Sequence, residues 1–181
     1  MSGEGGSNET PPVIRRDPVL VCLALGSNLG GRLDHLRGGV RGLEEGGVVV
    51  ERVSRVVETP PVGYEDQPPF LNLALGGRWG DTPKSLLALI RDVEEDAGRI
   101  RSFPDAPRTL DVDLVFFGER IVRSRGLTVP HPRWRERTFV ARPLAEIVPD
   151  VLDPETGWRV EEVVRSWPMG PEEIRVVGRI E

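Results

Sequence analysis

Cysteine is nearly missing, with Cys22 the only one in 181 residues. A lone thiol excludes an internal disulfide framework. In "PVLVCLAL" it reads as a buried core thiol, which suits a reducing compartment. Lysine is equally scarce. Lys84 is the only one among 24 basic residues, so the cationic chemistry is arginine chemistry, as a GC-rich genome would also produce. There is no excess of base: 29 acids face 24 bases, which gives no global reason to expect nucleic acid or an acidic membrane surface. No apolar run approaches the roughly 20 residues of a membrane-spanning helix. Only two histidines occur, His35 and His131.

What is present is enough for one domain with a real core. The opening "MSGEGGSNETPP" is polar and glycine-rich without a signal-peptide core. Residues 1–17 are therefore expected to be a disordered leader, and 18–181 a single domain. The expected location is the cytoplasm.

The run 18–25 is continuously apolar, as in a central strand covered on both faces. After the turn "GSNLGGR", Leu33, Leu36, Val40 and Leu43 recur at helical spacing and predict a helix over 32–45, against its glycines 38, 39 and 42. The β-branched 47–59 reads as one strand, and 70–79 as another. Between them lies the proline-rich loop "PPVGYEDQPP", of a length that is often functional. Thr82-Pro83 is a helix start, Leu86, Leu87, Ile90 and Val93 its stripe, and Gly98 its C-terminal cap. A strand follows in "PRTLDVDLVFF", then a hairpin expected at Gly118-Glu119 and a helix expected near Arg133. The tail suggests one short helix and one strand. The order strand–helix–strand–strand–helix–strand predicts an α+β fold of ferredoxin-like type. An antiparallel-rich sheet would be flanked by helices in three αβα layers.

In that last long strand, Leu110, Val112, Leu114 and Phe116 would form one face, and Asp111, Asp113, Val115 and Phe117 the other. Residues i and i+2 lie roughly 6.6 Å apart on the same side. Two carboxylates there repel each other, and a cation between them removes the repulsion. Oxygen-only ligands suit Mg²⁺ with substrate phosphates, and a carboxylate pair can bridge two ions. Taken alone, the pair reads first as a solvated edge paired with arginines, and a metal pair is the second reading. Arg99, Arg101 and Arg108 precede it, and Arg133, Arg135 and Arg137 follow. Arginine forks match phosphate oxygens, so the combination suggests metal-assisted phosphoryl transfer. His131, between prolines 130 and 132, is a rigidly placed donor. "LGSNLGGR" lacks a P-loop ending and on its own is a turn. Phe70 and Asn72 offer a stacking ring and a polar edge for a flat heterocycle.

Together, "LALGSNLG", "RVVETPPVG", "DQPPFLNLAL", "VEEDAGRIR", "PRTLDVDLVFFG" and "LTVPHP" resemble the 6-hydroxymethyl-7,8-dihydropterin pyrophosphokinases of folate biosynthesis, in family order from about residue 19 to 150. The resemblance implies transfer of pyrophosphate from ATP to the dihydropterin hydroxymethyl group, with release of AMP. It implies that Asp111 and Asp113 hold two Mg²⁺ ions, and that Arg99, Arg108, His131 and Arg137 contact the ATP phosphates. Arg101 would sit on the same loop as Arg99, with Glu94 and Thr128 near the nucleotide. Gly26, Thr59, Pro60, Val62, Phe70, Asn72 and Phe139 would form the pterin pocket, with Asn72 reading its edge and the two phenylalanines sandwiching the ring. The implied partners are these small molecules alone, without nucleic acid or membrane, and the expected state is a monomer.

The chain departs from the family in three places. "SFPDAP" replaces the aromatic-Gly pair usual before "PRTLD", Pro132 stands where some members have tyrosine, and Phe70 lacks a tyrosine hydroxyl. Two rival readings remain at this point. One is a non-catalytic nucleotide- or pterin-binding module on the same fold, disabled by the altered 102–106 loop. The other is a metal-dependent phosphatase or nuclease on a ferredoxin-like core.

Overall fold

The computed structural model describes residues 17–63, 65–99, 106–167 and 174–180. Most of the expected leader, Arg101 and most of the altered 102–106 loop lie outside the described residues.

The apolar run forms strand β1 (Val19–Ser27), and its alternation is used on both sides. Val21, Leu23 and Leu25 enter one core, Cys22 and Ala24 a second. The first core is closed by α1 (Arg32–Glu45) and α2 (Pro83–Asp96) through Leu36, Val40, Leu43, Leu86, Ile90 and Val93. Fully burying each of these aliphatic side chains stabilises the fold by roughly 1.5–3 kcal/mol. Two of the three glycines that weaken α1 as an isolated helix, Gly39 and Gly42, have a packing reason. A Cβ on Gly39 would lie 2.9 Å from Leu110, so α1 approaches the sheet more closely than any larger residue permits. α2 starts as expected: the Thr82 hydroxyl accepts a hydrogen bond from the Ser85 N–H at 3.1 Å, and Pro83 occupies the first position. Its end carries Gly98 at φ +73°, one residue past the cap Ala97.

The second face is covered by α3 (Thr138–Ile147) and α4 (Val160–Ser166). Val140, Ala141, Leu144 and Ile147 of α3 pack on Cys22, Ala24 and Ala74. The layers are therefore helix, sheet, helix. The expected helix near Arg133 is a single 3₁₀ turn at Trp134–Glu136, and the α-helix begins only at Thr138.

β4 (Phe70–Trp79) pairs with β1, and β5 (Asp111–Phe117) pairs with the other edge of β1. The expected single strand over 47–59 is two, β2 (Val49–Val53) and β3 (Val56–Thr59), laid end to end along β4. The break is at Ser54, whose backbone N–H donates to the Ala74 carbonyl at 2.9 Å. The Ser54 hydroxyl accepts the Ala74 N–H and donates to the Arg55 carbonyl, replacing ladder bonds at the kink. β8 (Arg175–Gly178) adds to the far edge of β3. The order β5-β1-β4-β3-β8 is antiparallel at every step, as the ferredoxin-like reading requires.

Two expectations near residue 116 are corrected. The register of β5 on β1 shifts between Cys22 and Leu23. After Leu114 this bulge sends Phe117 into the first core and turns Val115 and Phe116 to the second. The Gly118-Glu119 hairpin does not form: the Gly118 N–H donates back to the Leu20 carbonyl at 2.7 Å. β6 (Val122–Ser124) instead pairs with β7 (Leu127–Val129) as a separate ribbon, turning at Gly126 with φ +83°.

Candidate active site

β1 and β5 place Gly26 opposite Asp111 and Ala24 opposite Asp113. The pleat therefore aims both carboxylates into one open cleft on the α3 side of the sheet. Asp111 is engaged twice: Oδ1 lies 2.6 Å from Arg99 and Oδ2 2.8 Å from Arg108. Asp113 accepts a hydrogen bond from Arg137 at 3.2 Å. About a third of its side chain, 32%, remains open to the cleft although it sits deep among protein atoms. Burial, reinforced by the neighbouring charges of Asp111 and Glu94, pushes its carboxyl up to about 6 against the pull of Arg137 and Arg108.

Glu94 lies behind this pair rather than in the cleft. It is 3% exposed, accepts the Val112 N–H at 2.9 Å and pairs with Arg99. It thereby ties the C-terminal turn of α2 to β5 and holds Arg99 beside Asp111. His131 is fixed from both sides. Its N–H donates to the Val115 carbonyl at 3.0 Å, and its Nδ1 accepts the Arg133 N–H at 3.2 Å. Nε2 is left facing Asp113 at 3.7 Å. Burial and the charge of Arg137 lower His131 to about 4. It is neutral at pH 7, and with Nδ1 accepting, its proton sits on Nε2.

The opposite end of the cleft is less charged. Thr59 and Pro60 at the end of β3, Val62 beyond it, Phe70 and Asn72 of β4, Phe139 of α3 and Gly26 of β1 all line it. Asn72 donates to the Thr59 hydroxyl at 2.9 Å, which fixes the orientation of its amide. A Cβ on Gly26 would stand 2.9 Å from Asn72 Oδ1, so only glycine leaves that edge accessible. Arg108 lies over the Phe70 ring at 5.7 Å and Arg137 over the Phe139 ring at 5.8 Å. The cleft is thus a narrow apolar slot with an amide edge, joined to a basin of carboxylates and guanidinium groups. A flat heterocycle fits the first and a polyphosphate with cations the second.

All seven residues proposed for the heterocycle line the cleft, as do Arg108, Asp111, Asp113 and Arg137. Arg99 and His131 border it through the aspartates. Thr128 is placed elsewhere, exposed on β7 opposite Arg123. Arg133, left out of the sequence-derived site, lines the cleft mouth. Sequence reasoning also passed over Asn28. Its side-chain carbonyl accepts the Arg108 N–H at 2.8 Å, and its amide donates to Gln67 Oε1 at 2.8 Å and to the Pro68 carbonyl at 3.1 Å. One buried residue therefore clasps the segment that leads into β5, with Arg108 on it, to the proline-rich loop. The only signal was "GSNLG" itself.

A family profile for 7,8-dihydro-6-hydroxymethylpterin-pyrophosphokinase matches residues 22–149. The chain is 43% identical over 150 residues to a 2-amino-4-hydroxy-6-hydroxymethyldihydropteridine pyrophosphokinase of Bacillus subtilis, covering 82% of this chain and 90% of that one. A protein of the same name from Synechocystis is 37% identical over 156 residues, covering 82% and 80%. A mitochondrial folate synthesis bifunctional protein of Arabidopsis thaliana is 40% identical over 136 residues; the match covers 75% of this chain and only 24% of that one. Among solved structures, wild-type Plasmodium falciparum HPPK-DHPS with pterin and p-hydroxybenzoate superposes with a TM-score of 0.66 at 14% identity, over 84% of this chain and 44% of the other, and shares the fold. The chain belongs to the 7,8-dihydro-6-hydroxymethylpterin-pyrophosphokinase family.

Proposed function

We propose that the protein transfers the β,γ-pyrophosphoryl group of ATP to the hydroxymethyl oxygen of 6-hydroxymethyl-7,8-dihydropterin, releasing AMP. The observation that carries this reading is the single cleft that joins the Asn72–Phe70–Phe139 slot to the Asp111–Asp113 basin. Both substrates have a matching surface there, and the junction brings the acceptor oxygen to the phosphates.

The two carboxylates fit a divalent cation. They offer oxygen donors only, share one face, and the raised Asp113 lacks enough positive charge around it. Asp111 and Asp113 would hold two Mg²⁺ ions, which when bound supply positive charge to the polyphosphate. The chain's own residues do the rest. Arg99, Arg108 and Arg137 neutralise phosphate oxygens, and the neutral His131 donates from Nε2. Phe70, Phe139 and Asn72 orient the ring so that its hydroxymethyl group points along the aspartates. Catalysis by this set is positioning and electrostatics, without a covalent nucleophile. The same reading takes 18–181 as one domain, monomeric and cytoplasmic. Among the described residues no helix is long and apolar enough to cross a membrane.

Incubating the protein with ATP, Mg²⁺ and the dihydropterin, followed by mass spectrometry, tests this. Equimolar AMP and pyrophosphorylated pterin are expected. Nucleotide binding without AMP release would establish the non-catalytic alternative. AMP or ADP formed without acceptor would point to a phosphatase.

A further inference from the structure

Strand β8 lies beyond residues 22–149, the part of the chain that the family profile covers. All four of its residues are exposed, with Val176 at 48% and Val177 at 47%, so it adds little to either core. Its charged contacts run toward the cleft. Arg175 pairs with Glu58 Oε1 at 2.7 Å, and the other oxygen of Glu58 pairs with Arg32 at 3.0 Å. The same Arg32 nitrogen donates to the Pro69 carbonyl at 2.7 Å. The bond to Arg175 is the foremost cause that holds the Glu58 carboxyl below the usual carboxylate range.

The sequence neighbours of this chain of contacts are cleft walls. Thr59 follows Glu58 and faces the cleft from the other side of β3, where it receives the Asn72 amide. Phe70 follows Pro69 and pairs with Thr59 across the sheet. The neighbouring Gln67 and Pro68 are held from the other side by Asn28. The end of the proline-rich loop is therefore pinned at two points, one of which depends on the C-terminal strand.

We propose that β8 is a positioning element of the acceptor pocket: Arg175 sets Glu58, Glu58 sets Arg32, and Arg32 fixes the Pro69 carbonyl and hence the Thr59–Phe70 wall. This rests on the acceptor-pocket reading given above. The consequence is specific to the acceptor, because none of the three residues touches the aspartates or the arginines of the phosphate basin among the contacts described.

The test uses the full chain with Arg175→Ala, Arg175→Lys, Glu58→Gln and the double variant Arg175→Ala/Glu58→Gln. The expected result is a two- to fivefold rise in acceptor KM for Arg175→Ala, the range of a partly exposed ion pair, with kcat and ATP KM unchanged. Arg175→Lys should recover part of it, and the double variant should be no worse than Glu58→Gln alone. In the ligand-free protein, amide exchange at Gln67 and Phe70 should accelerate in Arg175→Ala. Unchanged exchange and unchanged acceptor KM overturn the proposal. So does a parallel loss of Tm, ATP affinity and acceptor affinity, which would mark general edge destabilisation. If the wild-type protein makes no AMP, the functional reading fails, and the exchange measurement still decides whether β8 positions the loop.

Discussion

At the Thr59 end of the cleft, neutral contacts hold the walls: an amide on a hydroxyl, two phenyl rings and a glycine with no side chain. At the Asp111 end, oppositely charged groups hold one another, with Arg99 and Arg108 both on Asp111 and Arg137 on Asp113. On the proposed function, this contrast sets what substrate loading requires. A heterocycle can enter the first end by displacing water. A polyphosphate can enter the second only if the arginines exchange carboxylate partners for phosphate oxygens. The cost of that exchange is small because one charge-assisted bond replaces another. On the proposed function, the acceptor end is preformed, and at the phosphate end the arginines are held on the carboxylates with Asp113 only partly compensated.

The largest effect is expected at Asp111. Asp111→Asn keeps the shape and one acceptor oxygen but removes the charge facing both guanidinium groups. A fall in kcat of at least about a thousandfold is expected, with acceptor binding by titration unchanged. Arg99→Ala should come next, with kcat lower by about a hundredfold. It also leaves Glu94 buried without that partner, so its Tm should fall too. Rapid-quench measurement of AMP formation checks both.

At the neutral end the effects should fall on binding. Asn72→Ala removes the edge-reading amide and the Thr59 partner together, and acceptor KM is expected to rise ten- to a hundredfold with ATP affinity intact. Gly26→Ala pushes a methyl group toward Asn72 Oδ1 and should raise acceptor KM by about tenfold. Isothermal titration with each substrate separates the two ends. If either variant weakened ATP binding as much as acceptor binding, the two ends would not be independent.

Much of this contrast is legible in the sequence, and the features that are not share a cause. β1, α1, β4 and α2 are specified by short-range periodicity and local caps, and each forms within two residues of its expected bounds. The side-by-side aspartates follow from strand alternation alone. The features that depart from the sequence expectation depend on partners distant in sequence. The Ser54 break is held by Ala74, and the switch of Phe116 and Phe117 by the register of β1. The Asn28 clasp closes onto Arg108, 80 residues away. In a one-dimensional pattern a bulge is invisible because it changes pairing rather than composition. "GSNLG" likewise reads as a turn, although Gly26 and Ser27 end β1 and only residues 28–30 leave the strand, and the Asn28 side chain acts elsewhere.

The smallest predicted effect concerns the stored charge itself. Asp113 has a folded-state value of about 6, above the ordinary 3.8 that the unfolded chain would show. The folded protein therefore holds this proton more tightly than the unfolded one. Ionising Asp113 costs stability as pH rises from about 4 to 6, and the cost is complete above that. Asp113→Asn removes it. In the ligand-free protein without divalent cation, the variant should melt a few degrees above wild type at pH 7.5, with the gain shrinking to nothing below pH 4. Adding Mg²⁺ and ATP should reverse the order, because only the wild-type carboxylate turns its excess charge into ligand binding. A variant that melts lower than wild type at pH 7.5 without ligand would mean that Arg137 already compensates Asp113. The phosphate end would then be as settled as the acceptor end.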